Sequence, residues 1–563
     1  MPYIRYETLK QYIGTFLLLP YLLHASPLVR QVDDIIRLEE QKKIYESQIR
    51  ESQAAEAIYT ELTPIPLSKE TNATDACIRI ERIDTKGITL IDRGVLEALK
   101  EPYLHRCDTM HDINTLVKKI NNLYIEKAYI TSRAYIKPQD LSKGDLVITA
   151  MEGKVEAVTG NNISTALVFP FIENDFLNLR DLETGLEQLN RLQSMRATMG
   201  INPGSEEGFS RIVITGEKTG SPIHGSLGAN NYGTVKSGKY QFSGSVGWDN
   251  PLGINDLLTL NLNTTDKQDS NNNLLGNRIS YGLPVGRAYL EFIYSRFEYD
   301  QIVSGLNMEY LSNGENETFQ LRSEYKLFHT KDQKGKFDLS LLRKKNDNYL
   351  ADVYLDTSSN TLTILQLSYT HHYRGSTWDG YATLRYHRGL DWFDARTGSF
   401  ADATFDKATL DLSYSKRFNT ELLPLFYQFS FYGQYAKQGI VGSEQIGIGG
   451  PYSVRGFENE SQISGNKGFY LRNELGSSRT YAKATISPYL ALDYGVVSHN
   501  AESFGGHIVG AAIGSRFHFG EWSLDLFRSF PLIDSNEILY TPNGDEVHTS
   551  NDGLFGFSLA YRF

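Results

Sequence analysis

The chain has 563 residues, rich in Tyr (35), Phe (28) and Gly (48) and poor in Cys (2), Met (6) and Trp (4). That balance suits many short strands and turns better than helical globules. A net charge of -11 and a pI near 5.6 leave no basic footprint of the kind that nucleic-acid binding needs.

In "MPYIRYETLKQYIGTFLLLPYLLHA", Arg5 and Lys10 precede the apolar run Tyr12 to Leu23, and Leu23-His24-Ala25 offers a small-residue cleavage site. This is the order of a secretory signal peptide, residues 1–25, with a mature chain starting at Ser26 outside the cytoplasm. The apolar run is too short to cross about 30 Å of hydrocarbon as an anchor helix. No later window offers eighteen consecutive apolar residues, so only a closed β-barrel could still span a bilayer.

Residues 26–61 are polar and helix-favouring, with Val32, Ile35 and Ile36 as a short apolar stripe and charge on every face beyond it. Three readings stay open at this point: a helix bathed in water, disorder, or a helix threaded through a water-filled lumen. Pro64 and Pro66 end the segment, and residues 62–76, including "LSKETNATDA", read as a linker.

The pattern then becomes mixed. In residues 77–152, "CIRIERIDTKG" reads as a strand, "VLEALKEPYL" and "MHDINTLVKKINNLYIEKA" as helices, and "YITSRAYI" and "DLVITAMEGKVEAV" as strands. Residues 153–219 repeat the theme less clearly, with "NLRDLETGLEQLNRL" as a helix and "SRIVITGEKT" as the last strand. Two small α+β modules in tandem are expected. Cys77 and Cys107 both fall here, and in an oxidising compartment a lone pair most simply forms one disulfide, the alternative being two unpaired buried thiols.

From about residue 220 to 563 the period is 2. In "TFQLRSEYKLF", Phe319, Leu321, Tyr325 and Leu327 alternate with Gln320, Arg322, Glu324 and Lys326. A soluble sandwich alternates too. Segments of about ten residues, aromatics near their ends, and short turns such as "NPLGIND" and "LPVGRA" alternating with longer polar loops favour about sixteen membrane-spanning antiparallel strands.

Catalytic patterns are missing. "GTVKSGKY" matches G-x-x-x-x-G-K from Gly233 to Lys239, but Tyr240 stands where a magnesium-binding Ser or Thr belongs, and the surroundings read as a barrel hairpin. His371 and His372 are neighbours on a strand, so their rings point to opposite faces and cannot readily share a metal ion. The sequence has neither H-E-x-x-H nor G-x-S-x-G, and no enzyme, metal or cofactor is expected.

Taken together, the chain resembles a two-partner secretion transporter of the TpsB class, an outer-membrane pore related to the BamA-like assembly proteins. The resemblance runs over nearly the whole mature chain. It rests on "YITSRAYIKPQDLSKGDLVITAMEGKVEAV" in the first module, "NLRDLETGLEQLNRL" in the second, and "GGPYSVRGF" and "LALDYGVV" in the barrel. It implies an all-β barrel of sixteen strands (220–563), two POTRA modules (77–152 and 153–219) and a lumen plug helix (26–61).

It further implies that a loop near 440–465 folds into the lumen, with Gly450, Val454, Arg455, Gly456 and Phe457 at its tip. There Arg455 meets Asp493, followed by Gly495, on the wall; a guanidinium can make paired charge-assisted bonds to a carboxylate. Tyr561 and Phe563 resemble the C-terminal signal read by the barrel assembly machinery. Ala128 stands where the family commonly has glycine.

The implied function is nucleotide-independent export of a large TpsA-type exoprotein from periplasm to cell surface by a monomer in outer-membrane lipid. The cargo's secretion domain docks on the POTRA modules, where exposed strand edges can take an extended segment and the helix Asp181 to Leu192 is a candidate contact. A passive porin and a BamA-like assembly factor are the competing readings. The porin leaves the modules unexplained, and assembly factors commonly carry more than two.

Overall fold

The structure, a computed structural model, describes residues 27–53, 59–67, 77–234, 237–266, 273–304, 309–398, 401–420, 423–459, 462–498, 505–534, 539–540, 546–547 and 553–563. The signal peptide expected at 1–25, Ser26 and the 68–76 part of the linker lie outside the described residues.

An alternating chain in hydrocarbon satisfies its backbone only by closing into a barrel. Sixteen long antiparallel strands do so, and the last, Phe555–Arg562, pairs with the first, Ile223–Asn230. Phe563 completes the seam by exchanging backbone hydrogen bonds with Gly225 at 2.9 and 3.0 Å. Along the strand Glu309–His329 the apolar set Phe319, Leu321, Tyr325 and Leu327 is exposed on the outside, and Gln320, Arg322, Glu324 and Lys326 line the lumen. No helix of the described residues is long and apolar enough to cross a membrane.

The strands exceed the expected ten residues. Ala288–Ser304, Glu309–His329 and Gln333–Leu350 contain 17, 21 and 18 residues. Their ladder continues where Ser312 to Glu317, polar on both faces and without a membrane signature, still pair with Lys345 to Leu350. The near-P-loop residues 233–240 lie between the strands Ile223–Asn230 and Gln241–Asp249. His371 lies beside Tyr369 and Phe328, whereas His372 reaches Glu51 in the lumen at 3.0 Å, so the two rings do point apart.

The polar segment forms one helix, α1 (Pro27–Ser52), inside the barrel. It stops well before Glu61. Residues 59–67 give their backbone donors to the modules instead, Thr60 N to Glu183 and Ile65 N to Asn122, both at 2.7 Å, and a helix would have used those donors internally.

The first module packs α2 (Arg93–Lys100) and α3 (Met110–Glu126) on a sheet in which Arg82–Lys86 runs parallel, and Arg133–Tyr135 antiparallel, to the central Asp145–Met151. Thr109 and Asp112 form a capping box at the start of α3, and Ile113, Leu116, Ile120 and Tyr124 place its apolar stripe in the core. "YITSRAYI" contributes only three strand residues, because Tyr129 to Ser132 turn back on Tyr124 and Tyr129. The disulfide Cys77–Cys107 ties the start of the module to the short strand before α3. Ala128 adopts φ 63 while buried, a left-handed conformation that disfavours a Cβ, which accounts for the appeal of glycine there.

The second module pairs Phe209–Lys218 with Lys154–Asn161 in parallel and Met195–Pro203 in antiparallel, beneath α4 (Leu179–Leu189).

Candidate functional site

The chain between the strands Pro424–Ala436 and Lys467–Ser477 folds back into the lumen. Ile446–Ile448 pairs antiparallel with Ile463–Gly465, and this ribbon carries a tip from Gly449 to Asn459. The tip needs its glycines. Gly450 at φ 92 has Asn459 where a Cβ would go, and Gly456 at φ 116 places its missing Cβ 2.6 Å from the Phe530 carbonyl oxygen. The wall is trimmed to match: a Cβ on Gly495 would lie 2.8 Å from Val454, and one on Gly510 would occupy the Arg455 carbonyl. Val454 and Phe457 are buried between loop and wall.

Arg455 is 4% exposed and makes the bidentate contact the sequence pointed to. Its Nε and Nη2 donate to Asp493 Oδ2 and Oδ1 at 2.7 and 2.8 Å, and its backbone N donates to Oδ2 at 3.0 Å. Two partners had not been named. Arg455 Nη1 donates to Glu474 Oε2 at 3.1 Å, and Arg516 Nη2 donates to the same oxygen at 2.8 Å. Arg516 Nε reaches Asp525 at 3.4 Å, and Tyr489 donates to Asp525 at 3.0 Å. The loop thus ends in a continuous charged network along the wall. Glu474 and Arg516 carried only a weak signal, a charge on the inward face of an alternating strand.

Helix α1 lies against both loop and wall. Arg37 Nε donates to Gly442 O at 3.2 Å, Gln462 to Gln41 at 2.9 Å, and Gln48 to Asp411 at 3.0 Å. Glu51 pairs with Lys336 at 2.7 Å and His372 at 3.0 Å; Glu40 lies 3.5 Å from Lys344, which is 2.7 Å from Glu444 of the loop. The Tyr45 ring sits 5.7 Å from that of Tyr452 at the tip. Beneath the helix end, a cavity of about 1500 Å³ opens toward the second module, lined among others by Arg50, Glu51, Arg322 and Glu187.

The candidate helix Asp181 to Leu192 sits on the barrel rim. Asp181 contacts Arg287, Glu187 pairs with Lys326 at 2.8 Å, Gln188 donates to Ala288 O at 3.2 Å, and Arg191 lies 3.4 Å from Glu324. Its buried centre is Glu183, which accepts from His329 of the barrel at 3.2 Å, Arg180 at 2.6 Å and Thr60 N at 2.7 Å. Burial raises the Glu183 carboxyl, but those three hydrogen bonds outweigh it and hold the group below its ordinary 4.5. Glu187 is likewise raised by burial and brought below its ordinary value, chiefly by Lys326 and Lys334. In this arrangement the rim occupies much of the helix's polar face, and its end at Glu187, Asn190 and Arg191 borders the lumen cavity.

Residues 208–517 match the family described as haemolysin secretion/activation protein ShlB/FhaC/HecB, residues 78–153 its ShlB-type POTRA domain, and residues 148–203 a POTRA domain. The chain is 32% identical over 445 residues to the outer membrane transporter CdiB of Dickeya dadantii, covering 77% of this chain and 78% of that one. It is 30% identical over 468 residues to the hemolysin transporter protein ShlB of Serratia marcescens, covering 82% and 83%. The solved structure of CdiB from Escherichia coli superposes with a TM-score of 0.79 over 96% of this chain and 99% of that one, at 27% identity.

Proposed function

The chain belongs to the haemolysin secretion/activation family ShlB/FhaC/HecB, and from that premise we propose that it recognises one large exoprotein in the periplasm and passes it to the cell surface. It is a two-partner secretion transporter and not an enzyme, with its barrel in the outer membrane and its POTRA modules in the periplasm. The observation that carries the finer reading is the filled lumen, in which a largely polar helix, held by side-chain pairs and a short apolar contact at Ile35, lies over a loop pinned through Arg455.

Export then proceeds in a defined order. The cargo's N-terminal secretion domain docks on the modules, adding an extended segment to an open strand edge such as Met195–Pro203. Engagement of the helix Asp181 to Leu192 competes with the rim for Glu183, Glu187 and Arg191, so docking loosens the second module from the barrel. Loss of that brace frees α1, and the unfolded chain threads past the Arg455 loop. No step consumes nucleotide, and folding of the cargo outside supplies direction. The chain works as a monomer in lipid, placed there by the assembly machinery that reads Tyr561 and Phe563.

The test compares secreted and surface proteins of the native cell with and without the gene. Loss of one large protein from outside, with its fragments in the periplasm, is the expected result. A fall in small-solute permeability alone would mark a porin, and a broad fall in many barrel proteins an assembly factor.

A further inference from the structure

Besides α4, the second module meets the barrel along a loop, residues 163–172, which touches the short periplasmic turns at Asn255 and Gly286. Asn255 Nδ2 donates to Ser164 O at 2.6 Å, Gly286 N donates to Leu167 O at 2.8 Å, and Pro170 Cγ lies 3.5 Å from the place a Cβ on Gly286 would take. Those turns join strands whose outer face is apolar, with Trp248, Leu260 and Phe292 exposed there. The lumen cavity is lined from this module by Glu187, Asn190, Arg191 and Gln193 and by no residue of the loop. The loop therefore meets the rim outside that cavity's lining.

At its end Phe171 is 95% exposed, although Val168 and Phe169 beside it are buried in the module's core and Ile172 packs against that core. Its backbone is held at φ 60, a region a bulky aromatic rarely adopts. A strained backbone that places a ring in water is disfavoured on both counts, and such outliers point to a role for the side chain. Leu252, at the tip of the turn that holds Ser164, is 68% exposed as well.

We propose that Phe171, together with Leu252, is an interfacial foot that enters the inner phospholipid leaflet around the barrel and fixes the stance of the second module under the rim. Aromatic rings settle at the headgroup level of bilayers, where an apolar body meets a wet boundary. The exposed carboxylates Glu173 and Asp175 follow directly and limit the depth of entry, so zwitterionic headgroups suit the foot better than anionic ones. The contact forms without exoprotein, so its failure would leave the export reading untouched.

The experiment uses the full chain in vesicles of phosphatidylethanolamine and phosphatidylcholine. Both native cysteines are in the disulfide, so Phe171→Cys gives a single free thiol for a nitroxide label, and Val95→Cys on α2 serves as an aqueous control. At residue 171, dissolved oxygen should relax the label more than a water-soluble nickel chelate does, with the reverse order at residue 95. Replacing part of the lipid by phosphatidylglycerol should reduce the oxygen preference. A label at 171 that responds to nickel as strongly as the control overturns the proposal. So does a label shielded from both reagents, which would mark a protein contact instead.

Discussion

The loop around Arg455 and helix α1 fill one lumen and both bury apolar side chains there, Ile446, Ile448, Val454 and Phe457 from the loop and Ile35, Ile36 and Leu38 from the helix, but the loop adds a buried charged network, whereas the helix is otherwise held through Glu40, Lys42, Gln48 and Glu51. Burying an apolar side chain of that size contributes about 1.5–3 kcal/mol, and water cannot replace the contact. Partly exposed ion pairs contribute about 0–1 kcal/mol each, and water replaces them readily. The loop, continuous with wall strands at both ends and locked by its charged network, is therefore part of the wall, and the helix is the more removable occupant.

The largest effect is expected from Arg455→Ala. It strands Asp493 and takes one of two arginines from Glu474, a loss of about 3–5 kcal/mol for a buried pair. The barrel should still reach the membrane, but its transition on heated gels should move to lower temperature and export should fail; wild-type values for both would contradict a pinned loop. Gly456→Val comes next, because φ 116 and the Phe530 carbonyl leave no room for a branched side chain. Overpacking of this kind costs about 1–3 kcal/mol, read on the same gels, and Gly456→Ala should lose less.

Deleting residues 27–52 should shift that transition less than either loop variant while raising conductance in planar bilayers. A collapse of the barrel would make the helix structural and erase the distinction. Glu51→Gln should cost about 0.2–1 kcal/mol and show as more frequent channel openings, an increment that shrinks as salt rises.

Acid should act in between, at the rim. Glu183 and Glu187 titrate below the ordinary 4.5, so the docking they support is fully present above that value and is lost as pH falls through their lowered values in the folded protein. A distance measured between labels on the second module and the barrel should therefore hold from neutral pH down to 4.5 and widen below it. Widening that begins nearer neutral would assign the joint to other groups.

The barrel was legible because its period of 2 survives wherever lipid touches it, as at Phe319 to Leu327. The upper strand ends were not, since "SNGENE" pairs without an apolar face. Arg455 and Asp493, 38 positions apart, could be joined only through resemblance to a family, because alternation says which way a side chain points and not which inward residues meet. Glu474 and Arg516 stayed hidden for that reason among many inward charges. The early end of α1 escaped notice because residues 59–67 lose their helix to distant acceptors, Glu183 and Asn122, that no local pattern reveals. The helix Asp181 to Leu192 read as a candidate cargo contact, and only the fold shows much of its polar face spent on the rim.

Those long strands have a further consequence. The strand Glu309–His329 has 21 residues and Gln241–Asp249 only 9, and both reach the periplasmic turns, so the excess projects entirely outward from the cell. At ~3.4 Å per residue and the usual tilt, one bank of the barrel stands roughly 30 Å above the other. A segment emerging from the lumen meets a β-sheet parapet on one flank and much shorter strand ends on the opposite one. Its exit is sideways, like liquid from a jug with a single lip, and every copy pours toward the same side of its own barrel.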